Sequence, residues 1–113
     1  MRRLVWGSDN NGQYRAKEYF EALAEADRAK FVPWFERFAE TAKITNVEKF
    51  RQESPNLFVF KIFKHRIACF FDQQDVVLIH GFVKKTTSSK RTDREVKTAE
   101  RLRDNYLERK HKL

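Results

Sequence analysis

Three apolar segments joined by very short polar links constrain the fold of this chain most. They cover Leu57–Phe63, Arg66–Phe71 and Val76–Val83, and they are rich in aromatic and β-branched residues. Strands joined by links as short as two and four residues pair as antiparallel neighbours, because a parallel pair needs a long crossover. These segments therefore predict a three-stranded antiparallel meander.

The first half of the chain changes from an extended to a helical pattern. Residues 3–6 form a short extended segment, and two apolar stripes at helical spacing follow. The stripes are Ala16, Tyr19, Phe20 and Leu23, then Phe31, Trp34, Phe35, Phe38 and Ala42. Asp27 is placed to cap the second helix, and Pro33 lies early enough in it to be tolerated. We expect a helical hairpin with one apolar face on each helix.

Two further segments complete the predicted order of elements. Residues 47–52 are compatible with a strand, and a turn follows at 53–56. A last helix is predicted from Thr92, an N-cap candidate with Glu95 in capping-box position. The order β-α-α-β-β-β-α predicts an α+β fold with helices against one face of an antiparallel sheet. The length of 113 residues fits a single domain, residues 1–113.

The charge of the chain is concentrated near its end. The net charge is +8, and residues 84–113 hold 11 Lys and Arg against 5 acids, whereas residues 1–83 hold 13 against 11. Such asymmetry is typical of proteins that bind polyanions. It predicts nucleic acid or ribosome binding or an acidic protein partner, and it also fits a helix that merely keeps the protein soluble.

Several classes of protein and of site are excluded by the sequence. Cys69 is the only cysteine, so we expect a packed core thiol, without a disulfide framework or a cysteine-based zinc site. The acids form no spaced metal cluster, and no phosphate loop, zinc-protease motif or nucleophile motif is present. We predict no cofactor and no metal. No apolar run suggests a membrane span or a signal peptide, so we expect a cytoplasmic protein.

Alternation along the meander strands assigns two cations to one face. Phe60 and Ile62 share one face, and Lys61 lies on the other; in the next strand Arg66 opposes Ile67. Burying an unpaired cation would cost several kcal/mol. We therefore expect Lys61 and Arg66 on a face that the helices leave uncovered.

Cations around the predicted strand ends form the strongest candidate site. They are Lys61, Lys64, His65, Arg66, His80, Lys84 and Lys85. Such a cluster suits RNA cleavage in which the ribose 2′-OH attacks the adjacent phosphate. Arginine stabilises the phosphate, a lysine crowded by cations can act as a base, and histidine can transfer protons. The alternatives are a lysine-rich sheet edge that prevents aggregation and, for His80, a structural role.

Three stretches give the sequence a family resemblance. Residues 57–62, 66–71 and 77–86, the last containing His-Gly-Phe-Val-Lys-Lys-Thr, resemble the RelE/HigB superfamily of type II toxins, in particular its phage-derived HigB-like branch. The resemblance implies a helical hairpin on one face of a curved antiparallel sheet, with a C-terminal helix. It implies ribosome-dependent mRNA cleavage, and neutralisation by an antitoxin that is often a helix-turn-helix protein, as in HigA.

The resemblance also implies roles for individual residues. Arg66 stands at the phosphate-stabilising arginine, Lys61 at a basic strand residue, and Lys85, with Lys84 beside it, near a second catalytic cation. RNA-binding roles are predicted for Lys64, His65, Lys90, Arg91 and Arg94.

The chain departs from the family at one position, and this departure leaves the acid and the base of the reaction open. RelE members carry a tyrosine shortly after the last strand, where this chain has Lys90-Arg91, so His80 or a lysine would have to replace it as acid or base. Two other functions remain open: a ParE-like toxin that inhibits DNA gyrase without nuclease activity, and a non-toxic binding module.

Overall fold

The computed structural model describes residues 1–84 and 89–112, without the side chains of residues 89–92. Five strands and three helices follow each other in these ranges. They are β1 (Arg3–Trp6), α1 (Arg15–Glu21), α2 (Glu25–Thr41), β2 (Phe50–Ser54), β3 (Leu57–Ile62), β4 (His65–Asp72), β5 (Asp75–Val83) and α3 (Ser89–His111). The predicted order of elements and the α+β class are confirmed.

The five strands form one sheet in the order β1-β5-β4-β3-β2. The predicted meander is confirmed, since β2, β3, β4 and β5 pair as antiparallel neighbours. β1 instead pairs with β5 in parallel, so the prediction of a purely antiparallel sheet was wrong at this edge. The long connection through α1, α2 and three strands allows β1 to run in the same direction as β5.

Helices cover both faces of the sheet, and each face has its own apolar core. The hairpin of α1 and α2 packs on one face through Phe31, Phe35 and Phe38, against Phe60, Ile67 and Cys69. α3 packs on the other face through Ala99, Leu102 and Tyr106, against Val59, Phe70 and Val77. The hairpin's position and the burial of Cys69 are confirmed, whereas the expectation that helices cover only one face was wrong, because α3 carries an apolar stripe of its own.

The start and the middle of α2 differ from the prediction. The helix begins at Glu25 with Ala24 as its N-cap, so Asp27 lies in the first turn instead of capping it. Pro33 lies in the middle of this 17-residue helix, where a proline costs about 3 kcal/mol. The buried rings of Phe31 and Phe35 flank it, and each contributes about 1.5–3 kcal/mol, which offsets that cost.

Two element boundaries near the candidate site also differ. α3 begins at Ser89 and places Thr92 inside the helix, because the preceding Lys90 and Arg91 are good helix formers. β2 covers Phe50–Ser54 rather than residues 47–52. α3 is 23 residues long, but neither it nor another helix in the described ranges is apolar over the length that a membrane crossing needs.

Replacing Gly81 with alanine is expected to destabilise the fold by about 1–3 kcal/mol. A Cβ at Gly81 would lie 2.4 Å from Cγ and 2.5 Å from Cβ of Tyr19, so α1 would have to move away from β5. This clash outweighs the roughly 0.5–1 kcal/mol that alanine ordinarily gains over glycine in a strand. Urea unfolding measures the change, and a shortened Tyr19 side chain should restore part of it. Unchanged stability in Gly81→Ala would contradict the close packing of α1 on β5.

Candidate active site

Lys61 of β3 and Arg66 of β4 are direct partners across the antiparallel ladder. They lie on the face opposite Phe60 and Ile67, as the alternation predicted, but this face is not left uncovered, because α3 packs on it. Both residues are half-buried. Phe82 of β5 is the next residue in this row, opposite Arg66, and it is buried. Residues directly opposite each other share a face with Cβ atoms about 4.5–5.5 Å apart. The row therefore places two cations side by side next to a buried aromatic ring.

The guanidinium of Arg66 is oriented by the turn between β3 and β4. Its Nη1 donates hydrogen bonds to the carbonyl oxygens of Phe63 (2.7 Å) and His65 (3.0 Å). Among the described residues, Nε and Nη2 have no hydrogen-bond partner. Burial lowers the pKa of Arg66, yet a guanidinium remains charged throughout the physiological range. Arg66 thus keeps a fixed positive charge, and within the described part of the chain two of its donor nitrogens are available to an anion.

The environment of Lys61 favours loss of its proton. Burial is the largest cause that lowers the pKa of Lys61, and the positive charges of Arg66, Arg51 and Lys84 lower it further. The carboxylate of Glu53 acts in the opposite direction. A lysine with a lowered pKa has a larger population of free amine than an ordinary lysine, and the free amine can accept a proton.

The remaining predicted cations lie around this row or outside the described residues. Lys84 is exposed, and its backbone N–H donates to the carbonyl oxygen of Lys64 at 2.8 Å, which joins the end of β5 to the β3–β4 turn. Lys64 and Arg94 are also exposed. Lys90 and Arg91 belong to α3, but their side chains lie outside the described part, and so does all of Lys85.

His65 faces the helical hairpin instead of the cationic row. Its Nδ1 lies 2.7 Å from the hydroxyl of Tyr19, and its Nε2 lies 3.7 Å from Oδ2 of Asp27. The side chain is 14% exposed. Its ring is therefore held between the two helices of the hairpin and the sheet.

His80 shares the face of Arg66 but lies beneath α3. It is 8% exposed, its ring stacks on Phe82 with 5.6 Å between centroids, and its Nε2 is 3.3 Å from Oε2 of Glu95. Burial lowers the pKa of His80, and the carboxylate of Glu95 opposes this only in part. The geometry favours the structural role that the sequence left open for this histidine.

Sequence reasoning missed three residues near the site. Arg51 and Glu53 of β2 act electrostatically on Lys61, and Tyr19 of α1 contacts His65. Glu53 lies at a register shift between Gln52 and Ser54, where a bulge redirects side chains. The predicted strand ended before Glu53, and no local pattern indicates a bulge there.

The described ranges contain no group of three or more His, Cys, Asp or Glu side chains that could hold a metal ion. A lysine with a lowered pKa, a fixed arginine and an exposed lysine can bind a phosphate diester, stabilise negative charge on it and move a proton.

Comparisons with known proteins agree with this fold. The family model described as "Phage derived protein Gp49-like (DUF891)" matches residues 18–104. The isolated E. coli RelE toxin is similar in structure, with a TM-score of 0.56 and 17% identity, over 87% of this chain and 98% of RelE. A chain of the intact E. coli RelBE toxin–antitoxin complex gives 0.56 and 15%, over 76% of this chain and all of that one.

A search of curated proteins gives no match. The family model nevertheless spans most of the chain, from α1 to the middle of α3. The structural similarity adds the same sheet and helix arrangement. The chain therefore belongs to the phage-derived Gp49-like family, and its fold is similar to that of the RelE structures.

Proposed function

We propose that this chain is the toxin of a type II toxin–antitoxin system and that it cleaves mRNA on the ribosome. The observation that carries the proposal is the pairing of Lys61 with Arg66, with Lys84 nearby, on one face of a RelE-like sheet. Membership of the Gp49-like family and the similarity to the RelE fold support it.

The proposed reaction is an internal attack on the RNA backbone. The ribose 2′-OH forms a bond to the adjacent phosphorus, and the bond from phosphorus to the 5′-oxygen breaks, which leaves a 2′,3′-cyclic phosphate and a 5′-OH end. Lys61 as free amine accepts the proton of the 2′-OH, and Arg66 stabilises the charge on the pentavalent phosphate. A protonated Lys84 or Lys85 donates a proton to the departing 5′-oxygen. We assign His80 a packing role because it lies beneath α3.

Binding to the ribosome is proposed to use the basic residues beyond the row. Residues 84–113 carry a large excess of positive charge, and Arg94 on α3 and Lys64 at the turn are exposed. Lys90 and Arg91 precede Arg94 in the sequence, and we propose the same role for them. Contacts of this kind depend on the number of phosphates neutralised and weaken as salt rises.

We further propose an antitoxin as the partner that silences the protein in the cytoplasm. The net charge of +8 favours an acidic covering segment, and a helix-turn-helix protein of the HigA type fits the HigB-like resemblance of the sequence. The similar RelE chain in the RelBE structure is itself part of a toxin–antitoxin complex.

The direct test maps mRNA 5′ ends after induced expression of the chain in translating cells. The proposal expects new ends inside translated codons, bearing 5′-OH groups, that disappear when initiation on the message is blocked. Purified protein should cut a ribosome-bound message and leave the same naked RNA intact. Growth arrest with intact mRNA would instead favour inhibition of DNA gyrase, and harmless expression would favour a binding module.

The pH dependence of cleavage should report Lys61. Its free amine is the active form, so the single-turnover rate should rise with pH as Lys61 loses its proton. Neighbouring positive charge lowers the pKa of Lys61, so removing the exposed Arg51 charge in Arg51→Gln should raise it and move the rising limb to higher pH. Arg37→Gln, which changes an exposed arginine on α2, should leave the profile in place. An unmoved limb in Arg51→Gln would contradict the role of Lys61 as base.

A further inference from the structure

The helical hairpin holds the first residue of β4 through a chain of three polar side chains. The hydroxyl of Tyr19 from α1 lies 2.7 Å from Nδ1 of His65, and Oδ2 of Asp27 from α2 lies 3.7 Å from Nε2 on the other side of the ring. The rings of Tyr19 and His65 also meet edge to face, with centroids 5.8 Å apart. The hydrogen bond with Tyr19 therefore orients the imidazole, and the carboxylate of Asp27 lies on its other side, where it attracts the ring when the ring is protonated.

A second contact from α2 holds the turn immediately before His65. Phe63 occupies this turn with a φ of 53°, and its side chain is 68% exposed. Nζ of Lys30 lies 4.1 Å from the centre of its ring, which is a cation–π distance. The hairpin thus contacts the side chains of Phe63 and His65.

The carbonyl oxygens of these same two residues accept the hydrogen bonds of Arg66. Nη1 donates to Phe63 O and to His65 O. The direction of the guanidinium therefore depends on the backbone of the turn, and the backbone of the turn is held from the opposite face of the sheet. This connection runs from Tyr19 and Asp27, through His65, to Arg66.

The packing of Tyr19 shows that this contact is built into the fold. Its ring lies so close to β5 that a Cβ at Gly81 would be 2.4 Å from its Cγ. Glycine at this position lets the tyrosine reach His65 across the backbone of β5. Burial raises the pKa of Tyr19 to about 12, so the hydroxyl keeps its proton at neutral pH.

We propose that His65, held by Tyr19 and Asp27, is a positioning residue that fixes the Arg66 guanidinium for its charge-stabilising role. This inference rests on the proposed nuclease function and assigns to His65 a task other than contact with RNA. Fixed donors stabilise a transition state because they need no reorganisation when charge develops. Loosening the turn should therefore lower the rate of the chemical step more than the affinity for the programmed ribosome.

The test removes single polar groups and measures cleavage and geometry separately. Tyr19→Phe keeps the ring on Gly81 and removes the hydroxyl, and Tyr14→Phe is the matched control at an exposed tyrosine. We expect Tyr19→Phe to lower the single-turnover rate roughly ten- to hundredfold, with KM and thermal stability little changed. His65→Leu should lose as much or more, and His65→Asn, whose amide can still meet the tyrosine hydroxyl, should recover part of the rate.

The NMR signal of the Arg66 Nε–H group gives a readout that needs no activity. It should shift in Tyr19→Phe and His65→Leu and stay in place in Tyr14→Phe. The positioning role alone would be overturned if the wild type cleaves mRNA and Tyr19→Phe shows both a wild-type rate and an unmoved Arg66 signal. Absence of cleavage by the wild type, or full cleavage by Arg66→Ala, would overturn the proposed function and the positioning role with it.

Discussion

Replacing Arg66 with alanine is expected to lower cleavage of ribosome-bound mRNA by at least about 10²–10³-fold, the usual cost of losing one charge-stabilising donor. The change removes the guanidinium from the described part of the Lys61 row, where no other side chain carries a planar fork of N–H donors. The fold should survive, because the lost hydrogen bonds to two turn carbonyls each contribute about 0.5–1.5 kcal/mol. Mapping of mRNA 5′ ends and circular dichroism measure the two effects.

Two variants control this experiment. Arg66→Lys keeps the charge without the planar fork, so it should cleave at an intermediate rate. Arg37→Ala removes an exposed arginine from α2, away from the row, and should cleave like the wild type. Folded Arg66→Ala protein that still produced cuts inside codons would remove Arg66 from the site and leave the reaction without its main phosphate-stabilising group.

Replacing Phe38 with alanine is expected to lower the free energy of unfolding by about 3–5 kcal/mol. The ring is 1% exposed and lies 4.7 Å from Phe50, 5.2 Å from Phe58 and 5.0 Å from Phe71, measured between ring centroids. It thus joins α2 to three strands, and none of them can close the resulting cavity alone. A domain is stable by only about 5–15 kcal/mol, so the variant should unfold at much lower urea concentration.

Val32→Ala provides the control on the same helix. Val32 is 40% exposed, so its truncation should change stability by no more than about 0.5 kcal/mol. Phe38→Leu should fall between the two because it fills part of the cavity. A loss below about 1 kcal/mol in Phe38→Ala would contradict the packing of α2 on the sheet.

The sequence predicted those parts of the fold that depend on local patterns. Short polar links established the antiparallel meander, and alternation within its strands placed Lys61 and Arg66 on the face opposite Phe60 and Ile67. That assignment followed because a strand has only two faces, and the apolar residues identified one of them as core. The stripe on α2 likewise identified Phe38 as buried.

Features that depend on distant partners carried no comparable signal. β1 and β5 are far apart in the sequence, and no short turn connects them. Residues 3–6 therefore predict an extended segment but not the strand with which it pairs. His65 stands in a cationic stretch of sequence, and only the tertiary fold brings Tyr19 and Asp27 to it from the other face. His80 is buried for the same reason, because α3 docks over it.

The pairing of β1 with β5 also determines when, during synthesis, the sheet can be completed. Arg3 and Asp75 are 72 positions apart, and contacts of such separation slow folding because a long loop must close before they form. A nascent chain emerges N-terminal first. β1 and the helical hairpin therefore cannot complete their packing in the sheet until β5 has been synthesised. Lys84, at the end of β5, is among the last parts of the site to be translated. The sheet that positions Lys61 and Arg66 is therefore completed only after β5 has left the ribosome.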